Sequence, residues 1–156
     1  MPLTVVVVDD EPMIRDLLRL RLRLDGRFAV VGEANDPDHG LTLVQDHRPD
    51  VVLLDVHLAE DSGLRVLEAM AARSPDTKLV VFSGAAQPEM VERAYRLGAH
   101  LVVEKLMNSD ALADAMAALC TAGGAPSDGA DNPRESLGKE ARHPVTGPEA
   151  RQSEPP

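Results

Sequence analysis

The sequence predicts an α/β protein: a doubly wound sheet of five parallel strands with five helices, followed by a disordered C-terminal tail. Three observations carry that expectation. Short apolar runs alternate with amphipathic segments five times before residue 122. Two of the runs, Leu3-Thr4-Val5-Val6-Val7-Val8 and Val51-Val52-Leu53-Leu54, are nearly or wholly unbroken, as strands buried on both faces of a parallel sheet require. Both run straight into acid, Asp9-Asp10 and Asp55, at the strand ends where open α/β sheets hold their ligands.

The first strand, residues 3 to 8, is rich in β-branched side chains. Pro12 then offers the first position of a helix and Gly26 a terminator. Between them, Arg19-Leu20-Arg21-Leu22-Arg23-Leu24 alternates like a strand, but the segment is long and Ile14, Leu17 and Leu18 share one face, which favours helix. Arg15, Arg19 and Arg23 step by four along it as a basic stripe, and Arg21 falls inside the apolar arc, where its stem would snorkel or its head find a carboxylate. Phe28 to Ala34 reads as the second strand. Asp36-Pro37 is an N-cap and first residue for a helix to about His47, and Arg48-Pro49-Asp50 is the turn into the third strand.

After Asp55 a loop reaches Gly63, and a helix runs from Leu64 to about Ala72 with Val66, Leu67 and Met70 as its apolar positions. Leu79 to Phe82 is the fourth strand, ending at Ser83-Gly84; Pro88 starts a helix that Gly98 stops. Leu101-Val102-Val103 is the fifth strand, followed by Lys105. Ser109 is expected to cap the last helix, which Gly123-Gly124 ends. Residues 1–122 thus form one folded domain. From 123 to 156 Pro, Gly, Ser and mixed charges dominate, with Leu137 and Val145 the only large aliphatics. Such a segment cannot bury enough apolar surface to offset its ordering entropy, so a disordered tail is expected, with no second domain and no DNA-binding helix-turn-helix.

Composition narrows the function. A net charge of −10, from 16 basic and 26 acidic residues, disfavours nonspecific binding to nucleic acid or to an anionic membrane. The single cysteine, Cys120, excludes an internal disulfide and a cysteine-based zinc cage, reads as a small packed residue, and fits a reducing cytoplasm. Asp9-Asp10-Glu11 cuts short the N-terminal apolar run, so neither a signal peptide nor a membrane span is expected.

Asp9, Asp10, Asp55, Ser83 and Lys105 all fall at the C-terminal ends of predicted strands. Neighbouring parallel strands would bring three carboxylates, a hydroxyl and an ammonium to one crevice. Crowded carboxylates repel one another and invite a hard divalent cation such as Mg²⁺. A carboxylate can also attack phosphorus, with the cation and Lys105 neutralising the phosphoryl oxygens and Ser83 adding a hydrogen bond. Taken singly, an acid at a strand end is more often a turn or cap residue; the weight lies in five such groups on one edge. His57 reads either as an exposed loop residue or as a group overhanging the crevice. His39, His47, His100 and His143 read as surface residues.

With these pieces in this order, the chain resembles the receiver domain of two-component response regulators over residues 1 to 122. The carriers are Asp9-Asp10-Glu11-Pro12, Asp55 closing Val-Val-Leu-Leu-Asp, Gly63 eight residues later, Ser83-Gly84, Gly98-Ala99 and Lys105. The resemblance implies a flavodoxin-like receiver fold and a stand-alone switch that takes a phosphoryl group from a histidine kinase or phosphotransfer protein. Asp55 would be the phospho-acceptor. Asp9, Asp10, Asp55 and the main-chain carbonyl of His57 would hold Mg²⁺. Ser83 would be the switch hydroxyl, Lys105 the phosphate-binding lysine, and the small Gly84 would leave the donor room. The protein would act on nothing but its own phosphorylation and dephosphorylation, and would signal through protein contacts, a homodimer among them. The basic stripe reads as a solvated face or, more sharply, as the surface that docks the donor.

The chain also departs from the family. Leu58-Ala59 stands where Met-Pro is common, and Leu106 follows the lysine where Pro is usual, so a trans bond is expected there. Val102 occupies the strand-five position that usually carries an aromatic switch residue, and the usual coupling between hydroxyl and ring does not transfer. Two rival readings are weighed, and the second fails on its motif. One is a phosphorylation-independent interaction module on the same fold. The other is a phosphatase of the haloacid-dehalogenase type, whose motif requires a second Asp two positions after the nucleophile; Glu11 and His57 occupy those positions here.

Overall fold

The computed structural model describes residues 1–56, 62–105 and 107–122. His57, Leu58, Ala59, Leu106 and the segment 123–156, with His143, lie outside the described residues. Ten elements alternate as the sequence predicts: β1 (Leu3–Val8), α1 (Pro12–Asp25), β2 (Phe28–Ala34), α2 (Pro37–His47), β3 (Val51–Leu54), α3 (Ser62–Arg73), β4 (Lys78–Ser83), α4 (Pro88–Arg96), β5 (Leu101–Glu104) and α5 (Ser109–Thr121). The strands form one parallel sheet in the order β2-β1-β3-β4-β5. The chain winds outward from β1 to β2, then returns past β1 to β3, so the switch point lies between β1 and β3. That is where a doubly wound sheet opens a crevice at its strand ends.

Alternation along each strand splits the core in two. Val6, Val8, Val52, Leu54, Leu79 and Val81 face one side and pack against Val44 of α2, Leu67 and Met70 of α3, and Ala94 of α4. Val5, Val7, Val51, Leu53, Val80 and Phe82 face the other, against Leu18 and Leu22 of α1 and Leu112, Ala113 and Met116 of α5. β3 is buried along its whole length because it has a strand on each side and a helical layer on each face. Gly40 and Gly63 are among the close approaches that demand glycine. A Cβ on Gly40 would stand 2.6 Å from a methyl of Val8, and one on Gly63 would stand 2.8 Å from the Cα of Val56.

The end of the sheet away from the acids is tied by side chains. Asp50 accepts from the Thr4 N–H at 2.7 Å and the Thr4 hydroxyl at 3.0 Å, while its own N–H donates back to Thr4 Oγ1 at 3.0 Å. The Asp50 carbonyl then accepts from the Lys78 N–H at 2.8 Å. Thr77, buried, donates its hydroxyl to the Pro49 carbonyl at 2.7 Å, so Ser74 must be the donor in its 2.7 Å contact with Thr77. These bonds fix the register of β1, β3 and β4 from below.

Three expectations need correction. The buried face of α1 is Ile14, Leu18 and Leu22; Leu17 is half exposed, and Arg21 is exposed rather than caught in an apolar arc. The cap of α5 is Asn108, whose side chain accepts from the Asp110 N–H at 2.9 Å, with Ser109 the first helical residue. His100 is not a plain surface residue. Its Nδ1 accepts the Leu79 N–H at 3.1 Å and its own N–H donates to the Leu79 carbonyl at 2.8 Å, which extends the β4–β5 pairing by a side chain.

Burial, with the Lys78 charge second, holds the His100 imidazole below the ordinary histidine range, in the neutral form that can accept. A folded-state value below the unfolded one means that stability is full above the unfolded value of about 6.5 and falls as pH decreases from there. The melting temperature of the wild type is therefore expected to fall more between about pH 7.5 and about pH 5.5 than that of His100→Gln. Equal losses in the two proteins would remove His100 as the cause.

Candidate functional site

The strand ladders continue one residue past the strands and so set the acids in place. The Asp9 N–H donates to the Ala34 carbonyl at 3.0 Å, and the Asp55 N–H donates to the Val8 carbonyl at 2.9 Å. Asp9 and Asp55 therefore stand side by side at the switch point, both buried, while Asp10 is exposed. One carboxylate oxygen from each of the three acids lies within 4.8 Å of the other two. Lys105, just beyond β5, reaches across: its Nζ is 2.7 Å from Asp9 Oδ2 and 2.8 Å from Asp55 Oδ2. Its main-chain N–H donates to the Ser83 carbonyl at 2.8 Å, which pins the start of that reach to the end of β4.

Electrostatics explain why the lysine is there. Two buried carboxylates side by side would be costly without a cation. Burial works against the Lys105 charge, but hydrogen bonds and attraction to Asp55 and Asp9 outweigh it and hold the ammonium above the ordinary lysine range. Among the described residues, three acids against one ammonium leave the crevice negative. Asp9 Oδ1 accepts the Glu11 N–H at 2.9 Å, and buried Asp9 Oδ2 has the Lys105 ammonium at 2.7 Å. Three carboxylate oxygens this close together, with negative charge in excess, are an all-oxygen donor set that fits a hard divalent cation.

Ser83 is buried at the same rim, its hydroxyl in a tight turn with Ala85: 3.2 Å to the carbonyl and 3.3 Å to the N–H. A Cβ on Gly84 would meet no atom of the described residues within 4 Å. Asp9, Asp10, Asp55, Ser83 and Lys105 thus lie at one sheet edge, as the sequence predicts; the carbonyl of His57 lies outside the described residues. Arg15 is the residue that reading missed. Its guanidinium leaves the basic stripe and donates to the Asp9 main-chain carbonyl at 2.6 Å, bracing the acid-bearing turn. The available signal was Pro12: a helix starting two residues after Asp10 points its first turn back at the strand end. Arg19 is taken by Glu33 and Asp16, each at 2.7 Å, and only Arg23 of the three keeps the solvated character of a stripe.

Gly63 supports the site from behind, since its contact is the backbone of Val56, the residue after Asp55. Gly63→Ala is expected to lower stability by about 1–3 kcal/mol through overpacking against that backbone. A urea titration checks it; an unchanged midpoint would mean that the turn yields freely.

Comparison with known proteins gives the same picture. Residues 5–117 match the model of the response regulator receiver domain. The nitrate/nitrite response regulator protein NarL of Escherichia coli is 31% identical over 115 residues, 74% of this chain and 53% of that protein. The transcriptional regulatory protein DegU of Brevibacillus brevis is 28% identical over 119 residues, 76% of this chain and 50% of that protein. The chain spans about half the length of these curated relatives. Among solved structures, the signal receiver domain of NarL from Mycobacterium tuberculosis superposes with a TM-score of 0.73 at 31% identity, over 79% of this chain and 98% of that one. Five parallel strands in this order, an acidic switch-point crevice closed by a lysine, and a match across most of the described residues lead to one assignment: the chain belongs to the response regulator receiver domain family.

Proposed function

We propose that this protein is a phosphorylatable switch whose acceptor is Asp55. The observation that carries the reading is the ammonium of Lys105 held between the buried carboxylates of Asp9 and Asp55, with Asp10 beside them. An Asp55 oxygen attacks the phosphorus of a phosphohistidine on a histidine kinase or phosphotransfer protein. The new O–P bond forms as the P–N bond breaks, and the imidazole leaves with the electron pair and takes up a proton. Lys105 exchanges part of its contact with Asp55 for a phosphoryl oxygen, and the Ser83 hydroxyl turns from Ala85 to donate to another. Asp9, Asp10, Asp55 and the carbonyl of His57 would hold Mg²⁺, which when bound neutralises charge on the transferred group. The protein works in the cytoplasm and signals through protein contacts. Among the described residues, no helix is long and apolar enough to cross a membrane.

Incubating the protein with acetyl phosphate and Mg²⁺ and weighing it intact tests this. Gain of one phosphoryl group supports the switch. No gain would favour the phosphorylation-independent interaction module.

The donor docks on α1. Met13, Leu17, Leu20 and Leu24 follow one another at 4-3-4 spacing on its outer face, each exposed by 50% or more. Exposed Arg21 and Arg23 flank them, so the surface suits an amphipathic partner helix with acidic edges. Leu20→Glu is expected to slow transfer from a phosphorylated partner at least about tenfold, the cost of seating one charge in an apolar contact. Labelling by acetyl phosphate should be unchanged. Equal slowing with both donors would place the effect in the pocket rather than at the surface.

A further inference from the structure

The strand-five position that lacks an aromatic residue is not without a ring. Tyr95, the only tyrosine of the chain, reaches it from α4: its hydroxyl oxygen accepts the main-chain N–H of Val102 at 3.2 Å. Among the described residues β5 is an edge strand paired only with β4, so this bond satisfies a strand N–H that the sheet leaves over. The bond matters more to α4 than to β5. Ala94 is the only fully buried residue of that helix, whereas α1 has two such residues and α2 and α5 have three each. Tyr95 is 44% exposed, so burial alone does not fix it in place.

The same strand leads to the acidic crevice. Three residues after Val102 comes Lys105, whose ammonium spans Asp9 and Asp55 and whose N–H is fixed to the Ser83 carbonyl. The other end of the β4–α4 connection is Ser83 itself, with Ala85 in its turn. A change of charge on Asp55 therefore reaches α4 from both sides: through Ser83 and the loop to Pro88, and through Lys105 and β5 to Tyr95.

We propose that the Tyr95–Val102 hydrogen bond is the latch by which α4 follows the charge state of the acidic pocket, a role filled here by a helix residue instead of a ring on the strand. The proposal rests on the phosphorylation reading above. With Asp55 unphosphorylated, Lys105 stays on the two carboxylates and the latch is closed. When Lys105 and Ser83 shift toward a phosphoryl group, β5 and the start of α4 move relative to each other, the bond opens, and the C-terminal half of α4 changes its outer surface, on which Glu92 and Arg96 are paired at 2.6 Å.

Tyr95→Phe removes the hydroxyl and keeps the ring. Amide hydrogen exchange of the unphosphorylated proteins reads the latch directly: Val102 should exchange several-fold faster in Tyr95→Phe, with Val80 and Val81 unchanged. Backbone amide shifts read the coupling. In the wild type, acetyl phosphate and Mg²⁺ should move the amides of residues 93–98 and 102; in Tyr95→Phe these amides should start displaced toward their phosphorylated positions, and the further change should be less than half as large. Both proteins should take up phosphate equally by intact mass. Unchanged exchange at Val102, or undiminished α4 shifts in a labelled Tyr95→Phe, would overturn the latch. A wild type that takes up no phosphate would instead overturn the phosphorylation reading and the coupling with it, while the exchange measurement still decides whether the Tyr95 hydroxyl protects Val102.

Discussion

Asp55→Asn is expected to take up no phosphate from acetyl phosphate and Mg²⁺ while remaining folded. The amide has nearly the volume of the carboxylate but is a poor nucleophile, so the loss should be complete within detection by intact mass. The fold should tolerate the change. Lys105 keeps Asp9 at 2.7 Å, and the substitution removes the repulsion between two adjacent buried acids. Circular dichroism and melting should therefore differ little from the wild type. Labelling of Asp55→Asn at the wild-type rate would falsify the assignment and direct attention to Asp9 or Asp10.

Lys105→Met should be the damaging substitution. It removes the cation from between two carboxylates whose side chains are 2% and 5% exposed and leaves both charges buried without it. Stripping one partner from a buried ionic cluster costs about 3–5 kcal/mol, a large part of the stability of a domain this size. Mg²⁺ should restore part of that loss, because a cation bound by Asp9, Asp10 and Asp55 replaces the missing positive charge and binds only the folded state. Urea titrations with and without Mg²⁺ separate the two effects. A variant as stable as the wild type without Mg²⁺ would mean that water satisfies the acids. A variant that Mg²⁺ leaves unchanged would count against the metal assignment. The contrast between the two substitutions is itself informative: one removes chemistry and spares the fold, the other costs the fold first.

The parts of the structure that were legible in the sequence are those with a local cause. An apolar run that stops at an acid marks a strand end whatever lies around it, and Pro12, Pro37 and Pro88 each mark a helix start. The acidic crevice was legible because topology alone brings strand ends together. The face of α1 was not. With Leu at 17, 18, 20, 22 and 24, hydrophobicity surrounds the helix, and only contact with the sheet selects Leu18 and Leu22. The Arg15 bond to the Asp9 carbonyl, the His100 bond to Leu79 and the Tyr95 bond to Val102 were hidden for another reason. Each joins a side chain to a main-chain atom of a different segment, and residue type carries no information about such a pair.

The reciprocal bonds between Asp50 and Thr4, with Thr77 on Pro49, bear on how this protein can change over generations. They anchor the three central strands at the end remote from the acids, so strand alignment does not rely on the charged rim. Variation at the rim is then free to alter reactivity, lifetime of the modified state or choice of partner without first having to preserve foldability. By the same token, Thr4, Asp50 and Thr77 are positions where inherited change should be punished through loss of folded protein, with no trace in the chemistry of the molecules that survive.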